Sequence, residues 1–202
     1  MSPAPTGNTL RVIGGKWRSR KINFPAIDNL RPTGDRIRET LFNWLQSTVP
    51  GASCLDLFAG SGACGIEALS RGARHVVFIE QDVSAANSIA ANLRSLAAPE
   101  GEVKCSDALA WLTSYDESNG MKFDIVFVDP PYQRDLAILS AQKLEMSGCL
   151  KSAALIYVES DKLLELDSFP RNWRQLKHKK AGKVNYYLFG RKPADLTSNH
   201  DI

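Results

Sequence analysis

Paired cysteines and long apolar runs are the two features that this sequence lacks. Its cysteines, Cys54, Cys64, Cys105 and Cys149, lie far apart, and none belongs to a CxxC pair. This spacing fits neither a zinc site nor a disulfide framework, so a reducing cytosol is the simplest compartment. No apolar run reaches the length of a membrane span, and the first residues, MSPAPTGNTLR, lack the apolar core of a signal peptide. We therefore expect a cytoplasmic protein with no membrane partner.

Acidic residues are scarce in two segments of the chain. Residues 1–50 contain eight lysines or arginines against three acids, whereas the remainder contains 17 basic and 19 acidic residues. Residues 171–183 contain six basic side chains and no acid. One basic run is often only a solvated face. Two such runs beside an enzyme-like core favour a polyanionic partner, which indicates nucleic acid.

Short apolar strands alternate with helical segments from residue 53 onward. The predicted strands are 54–58, 75–80, 102–105, 123–129 and 153–159. The predicted helices between them are 63–72, 84–97, 108–115 and 133–145. The residues after 171 predict a closing antiparallel hairpin. This alternation predicts an α/β fold, a doubly wound, mostly parallel, seven-stranded Rossmann-like sheet with helices on both faces.

The segment before this sheet predicts a small basic extension. Residues 9–24 are typical of two short strands around Gly14-Gly15, and residues 35–46 predict an amphipathic helix from which Arg36 and Arg38 project away from the apolar face. The resulting division is a flexible tail at 1–8, a basic hairpin and helix at 9–50 that we expect to bind nucleic acid, a main domain at 51–191 and a second flexible tail at 192–202.

A glycine-rich loop follows the first strand of the predicted main sheet. Gly60, Gly62 and Gly65 satisfy GxGxxG, and Glu80 ends the next strand, where a carboxylate can accept hydrogen bonds from ribose hydroxyls. Glycine lets the backbone approach a ligand closely because it has no Cβ. The pattern indicates an adenosine-containing ligand, and it leaves an NAD-binding oxidoreductase open.

Acids at successive strand ends favour a cationic nucleoside over a dinucleotide. Asp56 lies four residues before Gly60, where a carboxylate disfavours a pyrophosphate and suits a cation. S-adenosylmethionine has an α-ammonium and a sulfonium, together with ribose hydroxyls for Glu80. Asp107 follows the next strand, where it can hold the adenine amine.

The stretch FDIVFVDPPYQRD ends a buried strand with an acid, two prolines and an aromatic ring. The Asp129 carboxylate and the Pro130 carbonyl can each accept one N–H of a substrate amine. Pro130 and Pro131 add no competing N–H and fix the backbone, so the acceptors are preorganised. Tyr132 supplies a face for an unstacked base. The motif predicts methyl transfer to a planar amine, and adenine, guanine, cytosine and glutamine amides all present one.

These motifs together resemble a known family. DLFAGSGACGIEALSRGA, Glu80, Asp107 and DPPY are similar to class I S-adenosylmethionine-dependent methyltransferases of the amino-group type. With LRVIGGKWRSRKINFP, LRPTGDRIRETLFNWL and GKVNYYLF, the chain resembles the bacterial 16S ribosomal RNA guanine-N2-methyltransferases, the small ribosomal subunit methyltransferase D family, over about residues 10–190.

The resemblance implies roles for residues of this chain. The guanine would be held by Asp129, Pro130, Pro131 and Tyr132. The cofactor site would be lined by Asp56, Phe58, Ala59, Gly60, Ser61, Gly62, Glu80, Gln81, Asp107 and Ala108. The resemblance further implies S-adenosyl-L-methionine as cofactor, S-adenosyl-L-homocysteine as product and no metal. It implies 16S rRNA, within an assembled or assembling 30S subunit, as partner of a monomeric enzyme.

Basic residues in both acid-poor segments, together with Thr33, are the candidate RNA contacts. They are Arg11, Lys16, Arg18, Arg20, Lys21, Arg31, Thr33, Arg36, Arg38, Lys179, Lys180 and Lys183. A base locked in a duplex cannot reach such a site, so the target must be flipped or unpaired. The residues by themselves are also compatible with a DNA adenine-N6 methyltransferase and with a non-catalytic RNA-binding protein.

Overall fold

The computed structural model describes residues 7–26, 34–118, 120–131 and 136–192. The strands are β1 (Gly7–Arg11), β2 (Lys21–Pro25), β3 (Ser53–Asp56), β4 (His75–Glu80), β5 (Gly101–Cys105), β6 (Phe123–Val128), β7 (Leu150–Ser160), β8 (Trp173–Ala181) and β9 (Val184–Arg191). The helices are α1 (Asp35–Trp44), α2 (Ala63–Ser70), α3 (Val83–Ser95), α4 (Ala108–Thr113) and α5 (Leu136–Met146). Among these described helices, none is long and apolar enough to cross a membrane.

The centre of the fold is a seven-stranded sheet with the order β5-β4-β3-β6-β7-β9-β8. The pairs among β3, β4, β5, β6 and β7 are parallel, and β9 runs antiparallel between β7 and β8. The predicted α/β fold, with its mostly parallel seven-stranded sheet, is therefore confirmed. The chain turns from β3 toward β5 and then back to β6, so the topological switch point lies between β3 and β6. Ligands of such sheets bind outside the carboxyl ends of the strands at this point.

Apolar side chains cover both faces of the sheet. One face packs against α1, α2, α3 and the β1–β2 hairpin through buried residues such as Phe42, Ile66 and Ile89. The other packs against α4 and α5 through residues such as Leu112 and Leu144. The strands β3, β4 and β6 are buried almost throughout, because each is covered on both sides.

Backbone N–H groups between β1 and β2 donate hydrogen bonds to a buried acid and a serine of α2, and these bonds fix the hairpin to that helix. Glu67 of α2 accepts the backbone N–H groups of Ile13 and Gly14 at 2.7 and 2.8 Å. Ser70 accepts from the Trp17 N–H at 2.9 Å. The basic N-terminal segment is thus anchored on the main sheet's helices through its backbone, which leaves its exposed cations for other contacts.

Arg38 corrects one of the RNA-contact predictions. The residue is only 1% exposed, and its guanidinium donates to Asp35 Oδ1 at 2.6 Å and to the Arg11 carbonyl at 2.9 Å. Positions 38, 41, 42 and 45 share one helix face, so this arginine joins the buried stripe instead of pointing away from it. The prediction that Arg38 contacts RNA is therefore wrong, because its side chain is buried and hydrogen-bonded inside the fold.

Candidate active site

Asp56, the last residue of β3, accepts a hydrogen bond from the end of the glycine loop. Its Oδ2 accepts the N–H of Gly65 at 2.9 Å, in the first turn of α2. Burial raises the pKa of Asp56 to about 7, against a lowering by the Gly65 hydrogen bond and with a further rise from the charge of Glu80. A buried carboxyl with this pKa is ready to pair with a cation, because a cation restores the charged form that burial disfavours.

Glu80 joins the same loop to the start of α3. Its Oε2 accepts the Gly60 N–H, and its Oε1 accepts the Asp82 N–H, each at 2.7 Å. A carboxylate has about four lone-pair sites, so two sites are left for hydroxyl groups of a ligand. Glu80 is 9% exposed, which puts those sites at the surface of the loop and not in the core.

The glycines of the loop serve two different purposes. Gly60 and Gly62 have φ values of 53° and 75°, a region that favours glycine. At Gly65, by contrast, a Cβ would lie 2.1 Å from the Phe78 ring, so this glycine allows α2 to pack closely on β4. The first two are therefore required by the turn of the loop, and Gly65 is required by packing.

Three strand-end loops meet at this edge of the sheet. The Ala59 N–H donates to the Ile79 carbonyl at 2.9 Å, and the Ser106 N–H donates to the Glu80 carbonyl at 3.0 Å. Asp107 is exposed and caps α4 by accepting the Ala110 N–H at 2.8 Å. Of the other predicted cofactor residues, the structure buries Ala59, Ser61 and Ala108, half-buries Phe58 and exposes Gln81. All ten predicted cofactor residues thus lie on these adjoining loops.

The DPPY motif begins where β6 ends, on the other side of the switch point. Asp129 is half-buried, Pro130 is buried and Pro131 is exposed, whereas Tyr132 lies outside the described residues. A cavity of about 100 Å³ adjoins the two prolines. Its walls come from these prolines, the start of α5 and the end of β7, including Glu159 and Asp161. The cavity offers a slot with both apolar and polar walls beside the acceptor groups of the motif.

Glu159 is a site residue that the sequence reasoning missed. It is 1% exposed, and the Tyr157 hydroxyl donates to its Oε1 at 2.7 Å. Burial first, and then the charges of Asp56, Glu159 and Asp129, raise the pKa of the Cys64 thiol. The charges of all three acids, at the ends of β3, β6 and β7, thus act on one buried thiol. A usable signal was present, because Glu159 ends the predicted strand 153–159, as the other acids end or follow theirs.

Three of the predicted basic contacts lie on the same edge as this site. In the sheet register, Ser160 of β7 pairs with Asn185 of β9, which pairs with Lys180 of β8. Lys180 is thus about 10 Å from Ser160, two strand spacings away. Lys179, next to it, and Lys183, in the turn that follows, are exposed like Lys180.

The hairpin cations lie toward the other edge of the sheet. Arg20 donates to the carbonyl of Ser95, the last residue of α3, at 3.5 Å. Both α2 and α3 begin at the cofactor loops, so their last turns point away from them. Exposed cations on this segment, besides Arg20, are Arg11, Lys16, Arg18, Lys21 and, at the start of α1, Arg36. Arg31 and Thr33 lie outside the described residues.

Comparison with known proteins gives the chain a family. The family described as "Conserved hypothetical protein 95" matches residues 10–190. The ribosomal RNA small subunit methyltransferase D of Escherichia coli K12 is 46% identical over 182 residues, which cover 90% of each chain. The enzyme of the same name from Haemophilus influenzae is 44% identical over 182 residues, 89% of this chain and 93% of that one. The chain belongs to the ribosomal RNA small subunit methyltransferase D family.

Solved structures agree with this assignment to the methyltransferase D family. The Escherichia coli protein yhhF superposes with a TM-score of 0.83 at 43% identity, over 93% of this chain and 100% of that chain. The 16S rRNA N2 methyltransferase RsmC of Thermus thermophilus, solved with AdoMet and guanosine, has a TM-score of 0.65 at 22% identity, over 94% of this chain and 51% of that one. The latter likeness shows the shared fold alone. The family expected from the motifs is confirmed.

Proposed function

We propose that this protein transfers a methyl group from S-adenosyl-L-methionine to the N2 amine of a guanine in 16S ribosomal RNA. One observation supports this most directly. The acceptor motif Asp129-Pro130 begins one strand away from Asp56 and its glycine loop, across the topological switch point. The names of the curated relatives indicate small-subunit ribosomal RNA as the substrate class.

The acids of the cofactor loops suit the charges of S-adenosylmethionine. Asp56 would pair with the α-ammonium, since a cation favours its ionised form. Glu80 would accept the ribose hydroxyls with the lone pairs that Gly60 and Asp82 leave open. The adenine would lie along Gln81, Asp107 and Ala108. When bound, the cofactor supplies a methyl group on a sulfonium, an electrophile for in-line displacement.

The acceptor motif would orient the amine without competing for its lone pair. The Asp129 carboxylate and the Pro130 carbonyl would each accept one N–H of the guanine amine. The nitrogen lone pair would then form a bond to the methyl carbon while the carbon–sulfur bond breaks, and the extra proton would leave through Asp129 or water. Most of the rate would come from holding nitrogen and methyl in near-attack geometry.

The basic residues would bind the RNA around an exposed guanine. The guanine must be unpaired or flipped to enter the slot beside the prolines. Lys179, Lys180 and Lys183 would contact phosphates next to it, and the hairpin cations would bind more distant ones. We propose that the substrate is the assembled or assembling 30S subunit, and that the enzyme acts as a monomer in the cytoplasm.

Nucleoside analysis tests the proposal directly. Purified protein and S-adenosylmethionine are incubated with small subunits, with naked 16S RNA and with duplex DNA, each taken from a strain without this activity. We expect N2-methylguanosine in the RNA, at one position by mass spectrometry. N6-methyladenine in DNA would instead support a DNA methyltransferase. Calorimetric binding of NAD without any response to S-adenosylhomocysteine would support an oxidoreductase.

A further inference from the structure

We propose that Glu159 is a specificity-determining residue that accepts the N1–H of the target guanine. This inference rests on the proposed function and adds a second acid to the acceptor site. Nothing in the DPPY motif itself distinguishes guanine from another purine with an amine at the same place. A carboxylate beside the motif supplies that distinction.

The sheet register puts Glu159 next to the motif. Val128 of β6 pairs with Val158 of β7, so the residues that follow, Asp129 and Glu159, are level with each other. Adjacent strands are about 4.8 Å apart. Phe127 and Tyr157 lie on the sheet face that α2 covers, and alternation brings Asp129 and Glu159 to that same face.

Electrostatic effects on Tyr157 agree with this placement. Burial, followed by the charges of Glu159, Cys64 and Asp129 and the Glu159 hydrogen bond, raises the pKa of Tyr157 well above its usual value. Both acids are therefore near this one phenol. Because its pKa is raised, the Tyr157 hydroxyl stays protonated and donates to Glu159 Oε1 at 2.7 Å, which fixes one oxygen of the carboxylate.

Glu159 also contributes to the cavity that adjoins the prolines. The residues that line this cavity are Pro130 and Pro131, the first residues of α5, Glu159, Ser160, Asp161 and Leu164. A planar base that donates its amine to Asp129 and Pro130 would present its neighbouring ring position to the end of β7.

The hydrogen-bonding pattern of guanine fits two side-by-side acceptors. Guanine has N1–H directly beside its N2 amine, so donors from both groups lie along one edge of the base. In 2-aminopurine the amine is unchanged, but N1 has a lone pair in place of the hydrogen. A carboxylate facing that lone pair is repelled, and a site built for a donor strongly rejects an analogue that lacks it.

Substitution of the target guanine by 2-aminopurine tests the proposal. A 16S RNA is assembled by ligation with 2-aminopurine at the guanine that mass spectrometry finds methylated, and initial rates are compared with the natural RNA. We expect the wild-type protein to prefer guanine by roughly 10²-fold in kcat/KM. In Glu159→Gln the amide can donate to N1 of 2-aminopurine, so the preference should fall to about unity or reverse.

The controls separate specificity from folding. Glu165→Gln, an exposed acid in the loop after β7, should keep the wild-type preference. If Glu159→Gln fails to fold, Glu159→Asp is used, which shortens the side chain by one methylene. Its carboxylate lies farther from N1 of the base, so the preference for guanine over 2-aminopurine should decrease. S-adenosylhomocysteine affinity and the thermal midpoint are measured for each variant.

The outcomes distinguish this inference from the proposed function. A wild-type protein that methylates both RNAs equally overturns the role of Glu159 while the methyltransferase activity stands. Equal losses on both RNAs in Glu159→Gln also overturn it, since they indicate a structural role only. A wild-type protein that methylates no guanine in any RNA or subunit contradicts the proposed function itself.

Discussion

The two halves of the candidate site use their acids differently. In the cofactor half, Asp56, Glu80 and Asp107 all accept backbone N–H groups of the loops that they adjoin. In the acceptor half, the motif begins with Asp129 and two prolines, and Glu159 accepts from a phenol. The first set of acids therefore builds the loops as well as offering lone pairs to a ligand. Under the proposed function, the second set also accepts hydrogen bonds from the substrate base.

This difference predicts separable consequences for mutations. A substitution in the cofactor half should change stability and cofactor affinity together, because the same carboxylate does both tasks. A substitution in the acceptor half should change turnover and leave cofactor affinity unaltered. The following predictions run from the largest expected effect to the smallest.

Asp129→Asn should give the largest loss. The change replaces one acceptor oxygen with an amide that donates, so it opposes the substrate amine while keeping the size of the side chain. We expect kcat to fall by about 10³-fold, the order found for a lost preorganised group. Single-turnover methyl transfer measures the loss, and calorimetry with S-adenosylhomocysteine should give a wild-type Kd.

Asp124→Asn is the matched control for Asp129→Asn. Asp124 lies at the other end of β6, where it pairs with Lys151 at 2.8 Å and accepts the Ser53 N–H. This control should lower stability without changing kcat. Nearly full turnover in Asp129→Asn would show that the motif is not the acceptor site.

Glu80→Gln should damage affinity and stability together. The amide group cannot accept from both Gly60 and Asp82, so one buried N–H loses its partner. We expect the unfolding free energy to fall by about 2 kcal/mol. The Kd for S-adenosylhomocysteine should rise by about 30-fold through the lost ribose contacts. Chemical denaturation and calorimetry measure the two effects.

Glu102→Gln provides the comparison for Glu80→Gln. Glu102 is an exposed acid on β5 that pairs with Lys104. Glu102→Gln should change the free energy of unfolding and the free energy of S-adenosylhomocysteine binding by no more than about 0.5 kcal/mol each, as is usual for surface sites. A Glu80 variant with weaker binding but wild-type stability would break the contrast between the two halves.

Asp56 should make both stability and binding depend on pH. Its pKa is about 7 in the folded protein, against 3.8 for an ordinary aspartate. The folded state therefore keeps a proton that the unfolded state has lost, so the stability from this group is present below pH 3.8 and is lost as pH rises through about 7. Asp56→Asn should remove this dependence in thermal unfolding between pH 5.5 and 8.

Cofactor affinity should show the opposite trend in the same pH range. An ammonium group pairs only with the ionised carboxylate, so the affinity for S-adenosylhomocysteine should rise by up to about tenfold with each pH unit toward 7 and level off above it. Calorimetry at several pH values measures this. A flat affinity profile in the wild-type protein would contradict the pairing of Asp56 with a cation.

Much of the cofactor half could be predicted from the sequence because its determinants are local. GxGxxG, the acid before it and the acids after the next two strands all lie within short segments whose order defines the loops. Continuous apolar runs such as Ile125–Val128 end at the acid that follows, so the strand ends and the acids beside them were predicted together. The boundaries of β4 were predicted at their observed residues.

The sequence-based predictions failed for residues whose position depends on tertiary contacts. Arg38 is charged, yet it is buried, and its Nη2 donates to the distant Arg11 carbonyl and to nearby Asp35 while its Nη1 lies 3.8 Å from the buried Glu67 carboxylate. Helical periodicity of the apolar residues alone does not contain that information. Glu159 was overlooked because its meaning depends on the pairing of β6 with β7, a register that no single segment specifies. The placement of Lys180 beside the site likewise depends on β9 lying between β7 and β8.

The smallest expected effect concerns the two groups of surface cations. The first group consists of the rim lysines, Lys179, Lys180 and Lys183. The second group consists of three of the hairpin cations, Arg18, Arg20 and Lys21. Replacing either group by serine removes three positive charges, so each triple variant controls for the net charge of the other. Both should weaken RNA binding and lower the salt slope by up to about 2, because each neutralised phosphate contact releases counterions.

Only the variant without the three rim lysines should also have a lower kcat/KM, by several-fold, at saturating cofactor. Lys180 is level with Ser160 in the register, whereas Arg20 contacts the last residue of α3, away from the cofactor loops. Phosphates near the target guanine would therefore meet the rim lysines, and their loss would misplace the base as well as weaken the complex. Filter binding over a salt series and initial rates measure the two effects. Equal catalytic losses in both variants would show that the RNA approaches the site from the hairpin side as well, and unchanged salt slopes would remove both groups from the interface.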